Sequence, residues 1–371
     1  MKPQTQRLMS IDALRGFDML FIMGFSGLVM SVCALFPEGT DCWLYTTMRH
    51  AEWNGFTHHD TIFPLFLFLA GMSFPFSYAK QVSTGTPRSR IHLKIFKRAM
   101  TLVCLGIVYN GFFKFDFENL RICSVLGRIG LAWMFAALMY INFKTGTRAL
   151  ICAAILIGYW LLICFVPAPD VPGGDPLTMQ GNLIGYVDRM ITPGRLIYDG
   201  GRFDPEGLLS TLPAIVSAML GVFTGEFVRI PEEKISGARK SVYMLGAAAV
   251  LLGLGLLWSI LFPINKMLWS SSFVLTVGAY CVAMFSIFYY VIDVRKKQRF
   301  ALFFRVIGLN SITIYMAQRI FSFSSINKFF LGGFAGMLPE QWADVLLDTG
   351  YVAICWLFLY FLYKKQTFLK I

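Results

Sequence analysis

Thr61-Ile-Phe-Pro-Leu-Phe-Leu-Phe-Leu-Ala-Gly-Met-Ser-Phe-Pro-Phe-Ser-Tyr-Ala79 runs from position 61 to 79 without one charged side chain, between His58-His59-Asp60 and Lys80. As a helix rising about 1.5 Å per residue, it is long enough to cross a hydrocarbon core of about 30 Å. Working outward, charged punctuation separates nine similar runs, at 13–36, 95–113, 122–142, 149–167, 207–228, 241–262, 268–292, 302–323 and 346–363. The pattern predicts an all-α, polytopic integral membrane protein of about ten transmembrane helices, forming one membrane-embedded domain over residues 1–371. Composition agrees: 56% of residues are hydrophobic and 15% charged, and the mean hydropathy is +0.62, far from an ordinary soluble mix.

The net charge of +12 does not point to nucleic acid, because Lys and Arg lie in short clusters between apolar runs rather than on one face or tail. Topology explains them better. Ten crossings put both termini on one side. Roughly two thirds of the 33 Lys and Arg then share that side, notably Lys2, Arg7, the stretches 80–98, 229–240 and 295–299, and Lys364, Lys365 and Lys370, which marks it as cytoplasmic. The expected location is a cell inner membrane. The first apolar run carries Asp18 and lacks a convincing cleavage site, so it is expected to stay attached. On the outer side two segments exceed simple turns, 37–60 and 168–206, and function is expected there. The eight cysteines are scattered without metal-site spacing, and Cys33 and Cys42 are the pair expected near an oxidising compartment. No internal repeat is visible.

Charges within the apolar runs are costly and call for a partner or a use. Asp12, Arg15 and Asp18 can pair along one face of the first helix; alternatively Arg15 meets a phosphate-bearing ligand, whose oxygens suit a planar guanidinium. Arg128, roughly 9 Å inside its helix, should face the protein interior. The segment Arg49-His-Ala-Glu-Trp-Asn-Gly-Phe-Thr-His-His-Asp60 holds three of the four histidines, and a neutral imidazole is the usual base near neutral pH. No metal is expected, since adjacent His58 and His59 share one ion poorly.

Ser10-Ile-Asp-Ala-Leu-Arg-Gly-Phe-Asp-Met19, His50-Ala-Glu-Trp-Asn-Gly55 and Asp60-Thr-Ile-Phe-Pro64 resemble the family of the lysosomal heparan-α-glucosaminide N-acetyltransferase and its bacterial relatives. Ser124-Val-Leu-Gly-Arg-Ile129, Asp204-Pro-Glu-Gly207, Pro263-Ile-Asn-Lys266 and Gly308-Leu-Asn-Ser311 continue the resemblance in order along the chain. It implies acetyl transfer from acetyl-CoA on the cytoplasmic side to the amine of a terminal glucosamine on the far side. It also implies that His50 is the active histidine, oriented by Asp60 or Glu52, with His58 and His59 solvated or modulatory. Arg15 and Arg128 are expected toward the CoA moiety, and Trp53, Asn54, Glu206, Asn265 and Lys266 toward the acceptor. Ser26 falls where the lysosomal enzyme has an active-site asparagine, a departure that bears on the acceptor. Asp204-Pro-Glu-Gly207 reads equally as a helix start, Lys266 as a loop charge or an oxyanion partner, and Asn310 as a helix-to-helix hydrogen bonder. The expected partners are the lipid bilayer, acetyl-CoA and an amino sugar or glycan. A sugar transporter and an O-acyltransferase of an envelope glycan stay open as rival readings, as does assembly into a homo-oligomer.

Overall fold

A computed structural model describes residues 8–369, so Lys2, Arg7 and Lys370 of the charge pattern lie outside the described residues. Fifteen α-helices make up the described chain: α1 (Met9–Leu20), α2 (Ser26–Cys33), α3 (Trp43–Thr47), α4 (Ile62–Ser83), α5 (Arg88–Tyr109), α6 (Val125–Asn142), α7 (Thr145–Phe165), α8 (Leu183–Ile191), α9 (Thr211–Val228), α10 (Gly237–Ser259), α11 (Ser271–Phe288), α12 (Gln298–Gly308), α13 (Ser311–Ile320), α14 (Phe323–Ala335) and α15 (Glu340–Lys364). The protein is an all-helical, polytopic membrane protein. Among the described residues eight helical segments are long and apolar enough to cross a membrane, or nine with the bent pair α12–α13. The expected ten runs all have counterparts, but α5 stands apart because Arg88, Arg90, Lys94, Lys97 and Arg98 crowd its first half.

Four features depart from the sequence reading. The run at 302–323 is broken into α12 and α13 with a 61° bend. Asn310 sits at the break, its amide donating to Thr367 O at 3.1 Å while its oxygen accepts from Thr313 Oγ1 at 3.2 Å. The run at 207–228 becomes helix only at Thr211. Asp204 therefore does not cap α9; its carboxylate takes two 2.7 Å bonds from Arg121 and a 2.9 Å bond from Glu206 N. Asp18 does not join Asp12 and Arg15 as expected. Arg15 lies 3.8 Å from Asp12, whereas one oxygen of the buried Asp18 has no hydrogen-bond partner. α14 had no counterpart among the apolar runs.

The central core gathers side chains from α4, α6, α9 and α11, with Leu65, Phe68, Ala218, Phe273 and Phe285 at 0–1% exposure. Within a membrane, such close association depends on small residues that let backbones approach. At the α1–α12 crossing a Cβ on Gly16 would stand 1.7 Å from Phe304 O, and one on Gly308 1.8 Å from Asp12 O. This crossing sets Arg15 of α1 and Arg305 of α12 on the same side of the cavity described below. The first span is itself interrupted: Phe21–Phe25 forms a π turn in which Gly24 takes φ +115°, a conformation that side-chain-bearing residues rarely adopt. α2 then restarts at Ser26.

Candidate active site

Asp60 organises the segment in front of α4. Its carboxylate is 1% exposed. One oxygen accepts from Ala51 N (3.2 Å), Thr57 N (3.3 Å) and Thr57 Oγ1 (2.8 Å), and the other lies 2.7 Å from His50 Nδ1. Thr57 and Asp60 close a reciprocal capping box over the turn that leads into α4, so the helix start and the His50 loop share one knot. A carboxylate at Nδ1 favours the tautomer with the proton there, which leaves the Nε2 lone pair available to accept one. Glu52 is exposed, and it is Asp60 that holds His50.

Lys266 reaches the same pair from the turn between α10 and α11. Its Nζ stands 3.0 Å from His50 Nδ1, 3.4 Å from Nε2 and 3.5 Å from Asp60 Oδ1. With the Nδ1 proton given to Asp60, the ammonium's charge partner here is the Asp60 carboxylate, and the Nε2 lone pair stays open. Burial draws the Lys266 ammonium below its ordinary range, opposed by Asp60 and Glu206. The turn is fixed by Asn265, whose amide donates to Asn54 Oδ1 at 3.0 Å and whose oxygen accepts from Leu268 N at 2.8 Å. Gly55 N adds a 2.9 Å bond to Ile264 O.

A cavity of about 650 Å³ opens at this group and is lined by His50, His59, Glu206 and Lys266 at one end. It continues past Ile62, Phe63, Phe66 and Ala70 of α4, so it runs at least about 12 Å along the helix axis. Its other end is lined by Arg15, Arg98 and Arg305. The Nε of Arg98 and that of Arg305 are buried without a hydrogen-bond partner, and Arg98 also stacks 4.3 Å over Trp133. Three guanidiniums at one mouth suit a polyanion, and the apolar middle suits a slender, mostly uncharged arm.

Of the residues singled out by sequence, His50, Arg15, Glu206 and Lys266 line this cavity, with Asp60 directly behind His50. Asn54 and Asn265 join the two loops beside it. Trp53 donates from Nε1 to Leu177 O at 2.8 Å and packs on Phe203, tying the His50 loop to the 168–206 segment. Arg128 does not line the cavity with Arg15. It is 2% exposed, lies 5.1 Å from the Trp269 ring and donates to Gly207 O at 3.1 Å and to Ser210, so it fastens the strand of chain that carries Glu206. Arg121 bonds both Asp204 and Glu206, and this pairing holds its guanidinium charged, above its ordinary range despite burial.

His58 and His59, expected to be solvated or modulatory, are both partly buried. The His58 ring lies 4.3 Å from Phe21, and the His59 ring lies 4.5 Å from His50. Arg98 and Arg305 were not singled out either: one reads as a loop-end charge and the other as a helix charge, and only the α1–α5–α12 arrangement brings them together. Among the described residues no group of three or more His, Cys, Asp or Glu side chains is placed to hold a metal ion.

No protein-family model matches the chain. Two curated proteins do: the heparan-alpha-glucosaminide N-acetyltransferase of Homo sapiens, 26% identical over an alignment of 430 residues covering 98% of this chain and 60% of that protein, and that of Mus musculus, 26% identical over 429 residues covering 100% and 61%. The chain thus spans about three fifths of the length of these relatives. A match sustained from one end of the chain to the other relates this membrane protein to the heparan-alpha-glucosaminide N-acetyltransferases.

Proposed function

We propose that the chain is a transmembrane acetyltransferase that moves an acetyl group from cytoplasmic acetyl-CoA to the amine of a glucosamine-like sugar on the outer side of a cell inner membrane. The observation that carries this reading is the single cavity with the Asp60–His50 pair at one end and Arg15, Arg98 and Arg305 at the other. The arginines receive the CoA phosphates, the apolar stretch takes the pantetheine arm, and the thioester stands before His50. His50 Nε2 removes a proton from the acceptor amine as it attacks, and Asp60 stabilises the imidazolium that results. Glu206, held from behind by Arg121, faces the acceptor.

The test is protein reconstituted in vesicles with labelled acetyl-CoA on one side and glucosamine-terminated oligosaccharide on the other. Labelled N-acetylated sugar supports the proposal. Unmodified sugar crossing the bilayer would indicate a transporter, and label on hydroxyl oxygen an O-acyltransferase.

A further inference from the structure

His59 has no task in the chemistry above, yet it stands in the cavity beside the base. Its ring meets that of His50 edge to face, with centroids 4.5 Å apart and planes at 69°, and it shares the cavity wall with Glu206 and Lys266. Its Nδ1 lies 3.3 Å from Ser26 Oγ. Ser26 is 6% exposed and opens α2 directly after the π turn, so the break in the first span is what delivers this hydroxyl to the site. Which of the two donates follows from the imidazole tautomer, and the tautomer used below has the Ser26 hydroxyl donating to Nδ1. With Ser26 donating to Nδ1, the imidazole carries its own proton on Nε2, on the far side of the ring.

We propose that the Ser26–His59 pair supplies the hydrogen bond that stabilises the oxyanion of acyl transfer, with His59 Nε2–H as the donor. The amine lone pair forms the N–C bond, and the carbonyl π pair moves to oxygen, where the His59 N–H meets it. His50 takes the proton released from nitrogen. The oxygen pair then re-forms C=O, the C–S bond breaks with its electrons on sulfur, and His50 returns the proton to the departing CoA thiolate. His59 neither gains nor loses a proton. Lys266 is less suited to this task, because its ammonium is paired with the Asp60 carboxylate.

The inference rests on the acetyltransferase reading, and the experiment separates the two. Purified full-length protein is assayed with acetyl-CoA and a glucosamine-terminated oligosaccharide, comparing wild type, Ser26→Ala, His59→Ala and His59→Gln, with thermal unfolding followed in parallel. A single lost oxyanion donor lowers kcat on the order of a hundredfold. We expect that loss for His59→Ala, with both KM values within a few-fold of wild type and an unchanged unfolding midpoint. Ser26→Ala should lose about tenfold, and His59→Gln, whose amide keeps an N–H donor, should recover most of the rate. Wild-type kcat in His59→Ala overturns the inference while leaving the acetyltransferase reading intact. So does a loss that tracks the unfolding midpoint, or a folded His59→Gln no better than alanine. Wild-type protein that acetylates no amine overturns both.

Discussion

His50 is half-exposed, whereas the Asp60 carboxylate that holds it is almost completely buried, so the mobile partner of the pair is steered by the fixed one. That division suits a base that must reach an incoming amine while keeping one tautomer. Replacing His50 by alanine removes the proposed base and its 2.7 Å bond to Asp60, and leaves the three bonds from Ala51 and Thr57 that build the loop around that carboxylate. Turnover should fall about a hundredfold or more, with the unfolding midpoint close to wild type, as steady-state assays and thermal scans would show. Asp188 of α8 tests the supporting structure instead. It is completely buried, accepts from Leu208 N at 2.8 Å, and has a second oxygen without a partner. Burial raises its carboxyl from an ordinary 3.8 to about 7, with the Leu208 bond and Arg128 working against the rise. Between those values the folded protein holds a proton that the unfolded chain has released. The stabilisation from this group is therefore complete below about 4 and is lost as pH rises through about 7. Asp188→Asn should flatten that part of the midpoint-versus-pH curve, and an unchanged slope would assign the dependence to another group.

The apolar runs around which the spans form were legible because each is a local property of about twenty residues: α4, α6 and α7 appear where hydropathy places them. Breaks and contacts between spans were not. Leu309–Asn310 looks like helix in the sequence, and its bend follows from Asn310 bonding to Thr367, 57 positions away. The Asp60–His50 pair was legible through its motif and short spacing, but His59 acquired its place from Ser26, 33 positions earlier. The α1–α12 crossing allows a test at this scale. Each glycine there faces the other helix's backbone, which cannot move aside as a flexible side chain could. Gly308→Leu should separate α1 from α12, lower the yield of folded protein, and weaken acetyl-CoA binding in what survives, because Arg15 and Arg305 would no longer share one mouth. Wild-type yield and wild-type affinity together would show that the crossing tolerates separation.

Across the whole molecule, the two ends of the cavity differ in charge as the two sides of the chain do. The arginine end lies toward the basic stretches around 88–98 and 295–299, and the His50 end lies among the loops 34–61, 166–210 and 260–270. By the positive-inside rule the first set is expected to face the cytoplasm, and the proposed use of a cytoplasmic CoA thioester would require the same orientation of the arginine mouth. Both arguments therefore stand or fall on one experiment. Single cysteines placed at Glu52 and Asp175, on the His50 side, should react with a membrane-impermeant maleimide added outside intact cells. Those placed at Ser89 and Gln298 should react only after the membrane is opened, with the native cysteines replaced so that the signal reports the introduced thiol. Labelling at Gln298 from outside would turn the arginine mouth away from the cytoplasm, and the cavity could then not draw its acyl donor from the compartment where CoA thioesters are made.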